Sequence, residues 1–403
     1  MPGRRVVLGL AAAVAVAGGG ATGVLLAGQS GGPTSGVPGS AAPPSTAAGQ
    51  SPVATPVVAL AGTDAHGRVR WDTPLALTAT HATLQSVTAT DDTGATLAGT
   101  LAPTGWRSRG TLVPTARYAL TATYADERGS TATRQLTATA GDSAHHLTGV
   151  LSPGDTDVVG VGQPVLVTLS RPVVRSARAA VTARLTVLAT PAQTGAWRWV
   201  SATQLHWRPK VYWKAGTRVH VVNDLARLHV GGSTWGVGHH TSDFTVGPAH
   251  VSTADAGTHT LTVRSDGAVV KVFPMSAGSP KYPSRSGVHL TLEKTPTLVM
   301  DSSTVGIPND TSDGYRETVL WDVRLSYGGA FVHAAPWSVY AQGRQNVSHG
   351  CINLSTADAQ WFFGFTRRGD VVDVTHSGVP PLLSDPGTLD WNFPWSQWAS
   401  LGA

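Results

Sequence analysis

The chain is predicted to be mainly β: two β-sandwich modules in tandem, then a third β-rich domain with one short helix. Three observations carry that prediction. Charged residues fill only 13% of the 403 positions, while Ala, Thr, Val and Gly abound, a composition that suits β-rich extracellular domains better than helical ones. Short runs of alternating large and small residues recur along most of the chain, separated by turn residues. The length also exceeds the roughly 250–300 residues that one core sustains, so two to three domains are expected.

Residues 1–28 begin Met1-Pro2-Gly3-Arg4-Arg5 and continue as an apolar stretch. A positive flank, an apolar middle and small residues after it describe an export signal. The stretch also nears the ~20 residues that cross a bilayer, so an uncleaved membrane anchor is the other reading. Arg4-Arg5 fits a twin-arginine leader less well. Gln29 stands where a lipid-bearing cysteine would be needed, so no lipid is expected there. Residues 29–55 are Gly, Ser, Pro, Ala and Thr with almost nothing to bury, which makes a tether.

Residues 56–142 read as the first sandwich. Tyr118-Ala119-Leu120-Thr121-Ala122-Thr123-Tyr124, the turn Asp126-Glu127-Arg128-Gly129 and Thr131-Ala132-Thr133-Arg134-Gln135-Leu136 predict a hairpin. Asp92-Thr93-Gly94 mimics the aspartic-protease tripeptide, but it has no second copy and lies between two alternating runs, so it reads as a turn. Residues 143–248 read as the second sandwich. Val165–Leu169, Trp197-Arg198-Trp199-Val200, Leu205-His206-Trp207-Arg208 and Val219-His220-Val221-Val222 are its strand candidates. Strand tryptophans fill cores more often than they bind sugars. His239-His240 is expected in a solvated loop, because neighbours on an extended chain point opposite ways and cannot share a metal.

Residues 249–376 form the third domain. Thr260–Ser265 and Ala268–Phe273 flank Asp266-Gly267, a strong hairpin signal. Further on, Ser355 is a plausible N-cap for a helix through Thr356-Ala357-Asp358-Ala359-Gln360-Trp361-Phe362-Phe363, and Val371-Val372-Asp373-Val374 looks like a closing strand. Residues 377–403 carry Trp391, Phe393, Trp395 and Trp398. That is too much aromatic surface to leave in water, so the tail is expected to pack back and brace the second sandwich against the third domain. The 29 basic and 24 acidic residues give a net charge of +5. No basic run tracks a phosphate backbone, so nucleic acid is not an expected partner, whereas anionic wall polymers are compatible.

The chemistry centres on Asn346-Val347-Ser348-His349-Gly350-Cys351-Ile352-Asn353-Leu354. Cys351 is the only cysteine, so it forms no disulfide within the molecule and reads as a reactive thiol. A thiol needs a base to become a nucleophile at neutral pH. His333, at the end of the apolar run Gly329-Ala330-Phe331-Val332-His333, is the proposed base. Too few thiols are present for a structural zinc site, and no metal is expected. Asn346-Val347-Ser348 matches a glycosylation acceptor but lies inside this motif and is discounted.

Together, His333 and Ser348-His349-Gly350-Cys351-Ile352-Asn353 resemble the signature of the L,D-transpeptidases, whose catalytic domain is called YkuD. The likeness covers the last third of the chain and is nearest to the actinobacterial and mycobacterial type with two immunoglobulin-like domains ahead of the enzyme. Pro283-Ser284-Arg285-Ser286-Gly287, leading into Val288–Leu292, matches that family's entry into a strand. The resemblance implies catalytic roles for Cys351, His333, His349 and Gly350. A backbone carbonyl near His333 would orient the imidazole, and the Gly350 and Cys351 N–H groups would face the developing oxyanion, with His349 shaping the pocket. Met300, Tyr315, Gly328, Gly329 and Trp337 match positions around the substrate groove. Ser348, as a turn hydrogen-bonder, and Asn353, as a loop brace or amide ligand, complete the substrate side. The segment between Met300 and Tyr327 is expected to be a lid, a loop rather than a strand.

What the resemblance implies is cross-linking of peptidoglycan stem peptides. A donor tetrapeptide would lose its terminal D-alanine to a cysteine thioester, which an acceptor amine would open to give a 3→3 cross-link. No cofactor is implied, and carbapenem β-lactams are implied as covalent inhibitors. The alternatives are an L,D-carboxypeptidase using the same thioester with water, and a non-catalytic wall-binding scaffold.

Overall fold

Alternation with turn punctuation builds strands throughout the first module. The computed structural model describes residues 54–383 and 390–400, so the leader or anchor and nearly all of the tether lie outside the described residues. One four-stranded sheet runs Val57–Ala61, Ala76–Thr80, Gly105–Ser108, Gly99–Ala102, and the other runs Arg68–Val69, Thr131–Ala140, Arg117–Asp126, Ala82–Asp91. The expected hairpin is borne out: Arg117–Asp126 pairs antiparallel with Thr131–Ala140. Asp126 Oδ1 closes its turn by accepting the Arg128 and Ser130 N–H groups at 2.9 and 2.8 Å. Asp92-Thr93-Gly94 is also a turn, bridged by Thr90 and Thr96. Its Asp92 has a further use, since Asp91 and Asp92 both accept the guanidinium of Arg227 from the second module.

The second module pairs one sheet, Gly149–Ser152, Val165–Leu169, Gln204–Pro209, Gly195–Trp199, with another, Val158–Val159, His239–Val246, Arg218–Asp224, Leu185–Thr190. Its tryptophans fill the core: Trp207 and Trp213 stack at 5.1 Å within the buried cluster. His239 and His240 are exposed, but they begin a strand rather than sit in a loop, because their N–H and C=O groups pair with Asp224 and Asn223.

The third domain holds two sheets with a core between them. The five-stranded sheet has the order Ala268–Pro274, Thr260–Ser265, His250–Asp255, Val371–Thr375, Gly287–Leu290. Its predicted hairpin turns at Asp266 (φ +48) and Gly267 (φ +88), the two positive-φ positions a two-residue hairpin loop demands. The four-stranded sheet has the order Lys294–Asp301, Arg316–Arg324, Phe331–Ala334, Ile352–Leu354. Helix Thr356–Phe365 packs Ala359 and Phe362 into the same core and is capped, as expected, by Ser355 Oγ on the Asp358 N–H. The segment from Met300 to Tyr327, expected as a loop-like lid, differs: it belongs to a hairpin, Lys294–Asp301 paired with Arg316–Arg324, whose tip, residues 302–315, is one short 3-10 turn at Ser302–Val305 and otherwise irregular. The Gly-Pro-Asn-Asp content belongs to that tip, while the Thr, Val and Leu beside it zip into strands.

The tail does pack back. Trp391 joins a cluster that contains Val159, Trp207 and Trp213 of the second sandwich together with Leu290 and Val371 of the third domain. Asn392 bonds both the N–H and the C=O of Val288, at 2.9 and 2.8 Å. Asp390 forms a buried pair with His206 at 2.9 Å. Trp398 is fully buried and donates its indole N–H to the Ala196 carbonyl at 3.0 Å. Removing that side chain leaves a large cavity and an unpaired carbonyl. Trp398→Ala is therefore expected to cost roughly 3–5 kcal/mol of stability, read as a lower denaturant midpoint; an unchanged midpoint would show that the tail braces nothing.

Candidate active site

Strand register decides which side chains meet. Phe331–Ala334 and Ile352–Leu354 lie side by side in parallel, with His333 level with Asn353. Side chains alternate along a strand. Val332, Ala334, Ile352 and Leu354 therefore point together into the core behind the sheet, where they are found. Phe331, His333 and Asn353, with Cys351 just ahead of its strand, take the opposite face. There Phe331 and Cys351 pack with Met300 and Val319 of the lid hairpin.

Cys351, His333, His349, Ser348, Asn353, Trp337, Met300 and Tyr315 all line one cavity of about 270 Å³. Sequence reasoning had named each of them. It assigned no role to Glu317, Val319, Ser338, Tyr340 or Val347 in the same wall; the facing of Glu317 and Val319 depends on strand pairing, and the other three lie in or beside the motif without chemistry of their own to mark them. A second cavity of about 310 Å³ shares Met300 and Tyr315 and adds Gly329, Phe331, Asp301, Arg324 and Tyr327. Gly328 lines neither of these two cavities.

The His333 ring is 96% removed from solvent, and its Nδ1 lies 2.9 Å from the Ala334 carbonyl. A carbonyl only accepts, so Nδ1 carries the proton and the neutral ring keeps its Nε2 lone pair for the cavity. This is the backbone carbonyl expected to orient the imidazole. Burial, opposed by that carbonyl, lowers the ring from its usual 6.5 to about 4. The Cys351 thiol donates to the Gly329 carbonyl at 3.7 Å. Burial lifts it from 9.0 to about 12, against the pull of the Phe331 N–H and with a further push from Asp322. Among the described residues no hydrogen bond joins the two groups. The resting pair is thus a neutral thiol and a neutral imidazole facing one space, rather than an ion pair.

The loop ahead of Cys351 is tied by its own side chains. Ser348 Oγ donates to the Cys351 carbonyl at 2.7 Å and accepts the Gly350 N–H at 3.0 Å. That corrects one expectation: the Gly350 N–H is not presented to the cavity, because the neighbouring hydroxyl takes it. What Gly350 supplies is backbone freedom, with φ at +121°, a value that L side chains rarely adopt. Its carbonyl accepts from Ser284 Oγ at 2.8 Å. Asn346 is occupied likewise, accepting the Ala277 N–H and donating to the Ala256 carbonyl. Exposed His349 lies against Tyr282 and Tyr315, ring centroids 4.8 and 5.0 Å away. Asn353 Nδ2 donates to Ser338 Oγ at 3.1 Å, while its Oδ1 is buried without a partner. Trp337 is half exposed, 6.1 Å from the His333 ring.

Among the described residues no group of three or more His, Cys, Asp or Glu side chains is arranged to hold a metal ion. The arrangement can present a sulfur nucleophile to a carbonyl and carry its proton on an adjacent base.

Comparison with known proteins follows the same division of the chain. Residues 249–374 match the family described as L,D-transpeptidase catalytic domain, and residues 66–229 match a bacterial Ig domain. The chain is 39% identical over 343 residues to L,D-transpeptidase 2 of Mycobacterium tuberculosis, across 85% of this chain and 83% of that protein. It is 40% identical over 224 residues to L,D-transpeptidase 1 of the same species, across 56% of this chain and 83% of that one. A solved structure of an LD transpeptidase in complex with imipenem matches with a TM-score of 0.50 at 39% identity, covering 56% of this chain and 97% of that one.

Proposed function

Because the chain belongs to the L,D-transpeptidase family, we propose that Cys351 and His333 perform acyl transfer between peptidoglycan stem peptides outside the cytoplasm. The observation that carries this reading is the shared cavity: an imidazole fixed by its Nδ1–H and a thiol from the neighbouring parallel strand open on one space.

Sγ of Cys351 attacks the carbonyl carbon of the third stem residue while its proton passes to His333 Nε2. The carbonyl oxygen becomes an oxyanion, and we assign its stabilisation to the Cys351 backbone N–H, with His349 at the rim. Collapse breaks the peptide bond, and the departing D-alanine amine takes the proton from His333, leaving a thioester. The amine of a second stem then attacks the thioester and gives its proton to His333. The sulfur leaves, recovers that proton, and a 3→3 cross-link remains. Two cavities that share Met300 and Tyr315 offer separate approaches to the two stems. Because thiol and imidazole both rest neutral, the proton must move as the sulfur attacks, so the base contributes in the transition state rather than beforehand.

Water in place of the second amine would make a carboxypeptidase, and one experiment separates the two. Supplied with a tetrapeptide donor and an acceptor amine, the protein is expected to yield a cross-linked dimer lacking one D-alanine. Tripeptide alone, unaffected by added acceptor, would show that hydrolysis is the activity. We further propose that carbapenems acylate the same sulfur.

A further inference from the structure

Asp322 is 1% exposed and takes no part in the chemistry above. It lies in strand Arg316–Arg324, the inner strand of the lid hairpin. Its facing is set by a break in alternation. Val319 packs with Met300 and Cys351 on the site side, yet Val323 belongs to the core behind the sheet. Residues four apart on a regular strand face the same way. Trp321, at φ +57, supplies the reversal, in a conformation that bulky residues seldom take. Arg324 pairs with Phe331 and lays its guanidinium over that ring at 4.5 Å. Asp322, two residues earlier, therefore shares the site face. The ladder to the neighbouring strand ends at Val323 with Val332, one step before the register that would set Asp322 opposite His333, and the charge of Asp322 is felt at Cys351.

The charged groups around it are largely engaged elsewhere. Arg324, on its own strand, is drawn to Glu293 at 3.2 Å and stacks on Phe331. The strand on one side presents Thr295 as its partner, which does not titrate, and the nearby Lys294 ammonium is held by the carbonyls of Phe363 and Thr366. On the other side stand His333 and, one strand further, Cys351. Asp322 Oδ2 is buried with no hydrogen-bond partner among the described residues. A carboxylate there lacks the donors that would offset its lost hydration.

We propose that Asp322 is a positioning residue that sets the proton balance of the His333–Cys351 pair, permitting attack as the neutral acid and opposing it as the carboxylate. The inference rests on the thiol–imidazole reading above. Ionised, Asp322 repels a Cys351 thiolate through a medium of low dielectric, and it adds to the burial that already holds the thiol high. Burial, with Arg324 opposing, raises Asp322 from 3.8 to about 7. Reactivity is therefore expected to be greatest between the protonation of His333 near 4 and the ionisation of Asp322 near 7. An ordinary thiol instead reacts faster as pH rises.

The test is the rate of carbapenem acylation, read by mass spectrometry between about pH 4.5 and 9, for the wild type, Asp322→Asn and Asp322→Ser. Wild-type acylation should fall roughly ten-fold above neutrality, and the variants should match it near pH 5.5 while exceeding it about ten-fold near pH 8.5. Superimposable profiles, or variants slower at every pH, overturn the proposal and leave the nucleophile in place. If Asp322→Asn fails to fold, Asp322→Ser is read; if both fail, a wild-type rate that does not decline above neutrality still overturns it. A wild type that forms no adduct at any pH defeats the thiol reading itself, and this inference with it.

Discussion

Incubated with a carbapenem, the intact protein is expected to gain the mass of one drug molecule, and Cys351→Ala is expected to gain none. Cys351 is the only thiol in the chain, so no other sulfur can stand in for it. Transfer between stem peptides should fall by on the order of 10⁴-fold or more, as when a nucleophile is removed from a site that otherwise keeps its geometry. The fold should survive, because the substitution deletes one buried sulfur and costs about 1–2 kcal/mol. An adduct that persists in Cys351→Ala, on whatever residue, would reject the thioester and with it the proposed reaction.

His333→Asn is the second large effect. The imidazole takes and returns a proton in each half-reaction, and such a group is worth roughly 10²–10⁴-fold. Its pH signature is distinctive. A neutral His333 is required, and its proton is lost near 4 rather than near 6.5, so acylation should persist well below the range where an exposed histidine would stop it. The same shift bears on stability. Between about pH 6.5 and 4 the unfolded chain binds a proton at this position that the native protein refuses. Stability is fully present above that window and is lost as pH falls through it, by up to about 3 kcal/mol. His333→Asn should remove that part of the acid sensitivity. Denaturant unfolding at pH 7 and pH 4.5 measures the difference, and equal slopes for wild type and variant would place the ring in water.

Much of this was legible in the sequence where local chemistry sets the outcome. The hairpin at Asp126-Glu127-Arg128-Gly129 and the helix behind Ser355 announce themselves through turn and cap residues, and the aromatic tail through its need for cover. Cys351, His333, His349, Asn353 and Trp337 were found because they recur in a motif. What stayed hidden depends on pairing across the sheet. Lys294–Asp301 contains Pro296 and shows no clean alternation of buried and exposed positions, so nothing local marks its pairing, and the segment from Met300 to Tyr327 read as a loop. Strand His250–Asp255 has no run of large apolar residues and is defined by its neighbours Thr260–Ser265 and Val371–Thr375. Asp322 carries no mark in the sequence. Its burial follows from the turned backbone at Trp321, which no residue pattern reveals. The Gly350 N–H was assigned to the oxyanion because its partner, Ser348 Oγ, is a side-chain choice made only on folding.

The second sandwich and the third domain do not merely touch; Val159, Trp207 and Trp213 share one interior with Leu290 and Val371, and the Gly160 and Gly162 N–H groups bond the Arg368 and Gly369 carbonyls. Cutting the chain between them would lay bare apolar surface on both pieces and strand those carbonyls. Separating the two is therefore expected to lower the stability of the third domain, read as a lower denaturant midpoint for residues 249–403 alone than for the intact chain. A load pulling on the sandwich would pass through those bonds to the residues just ahead of strand Val371–Thr375.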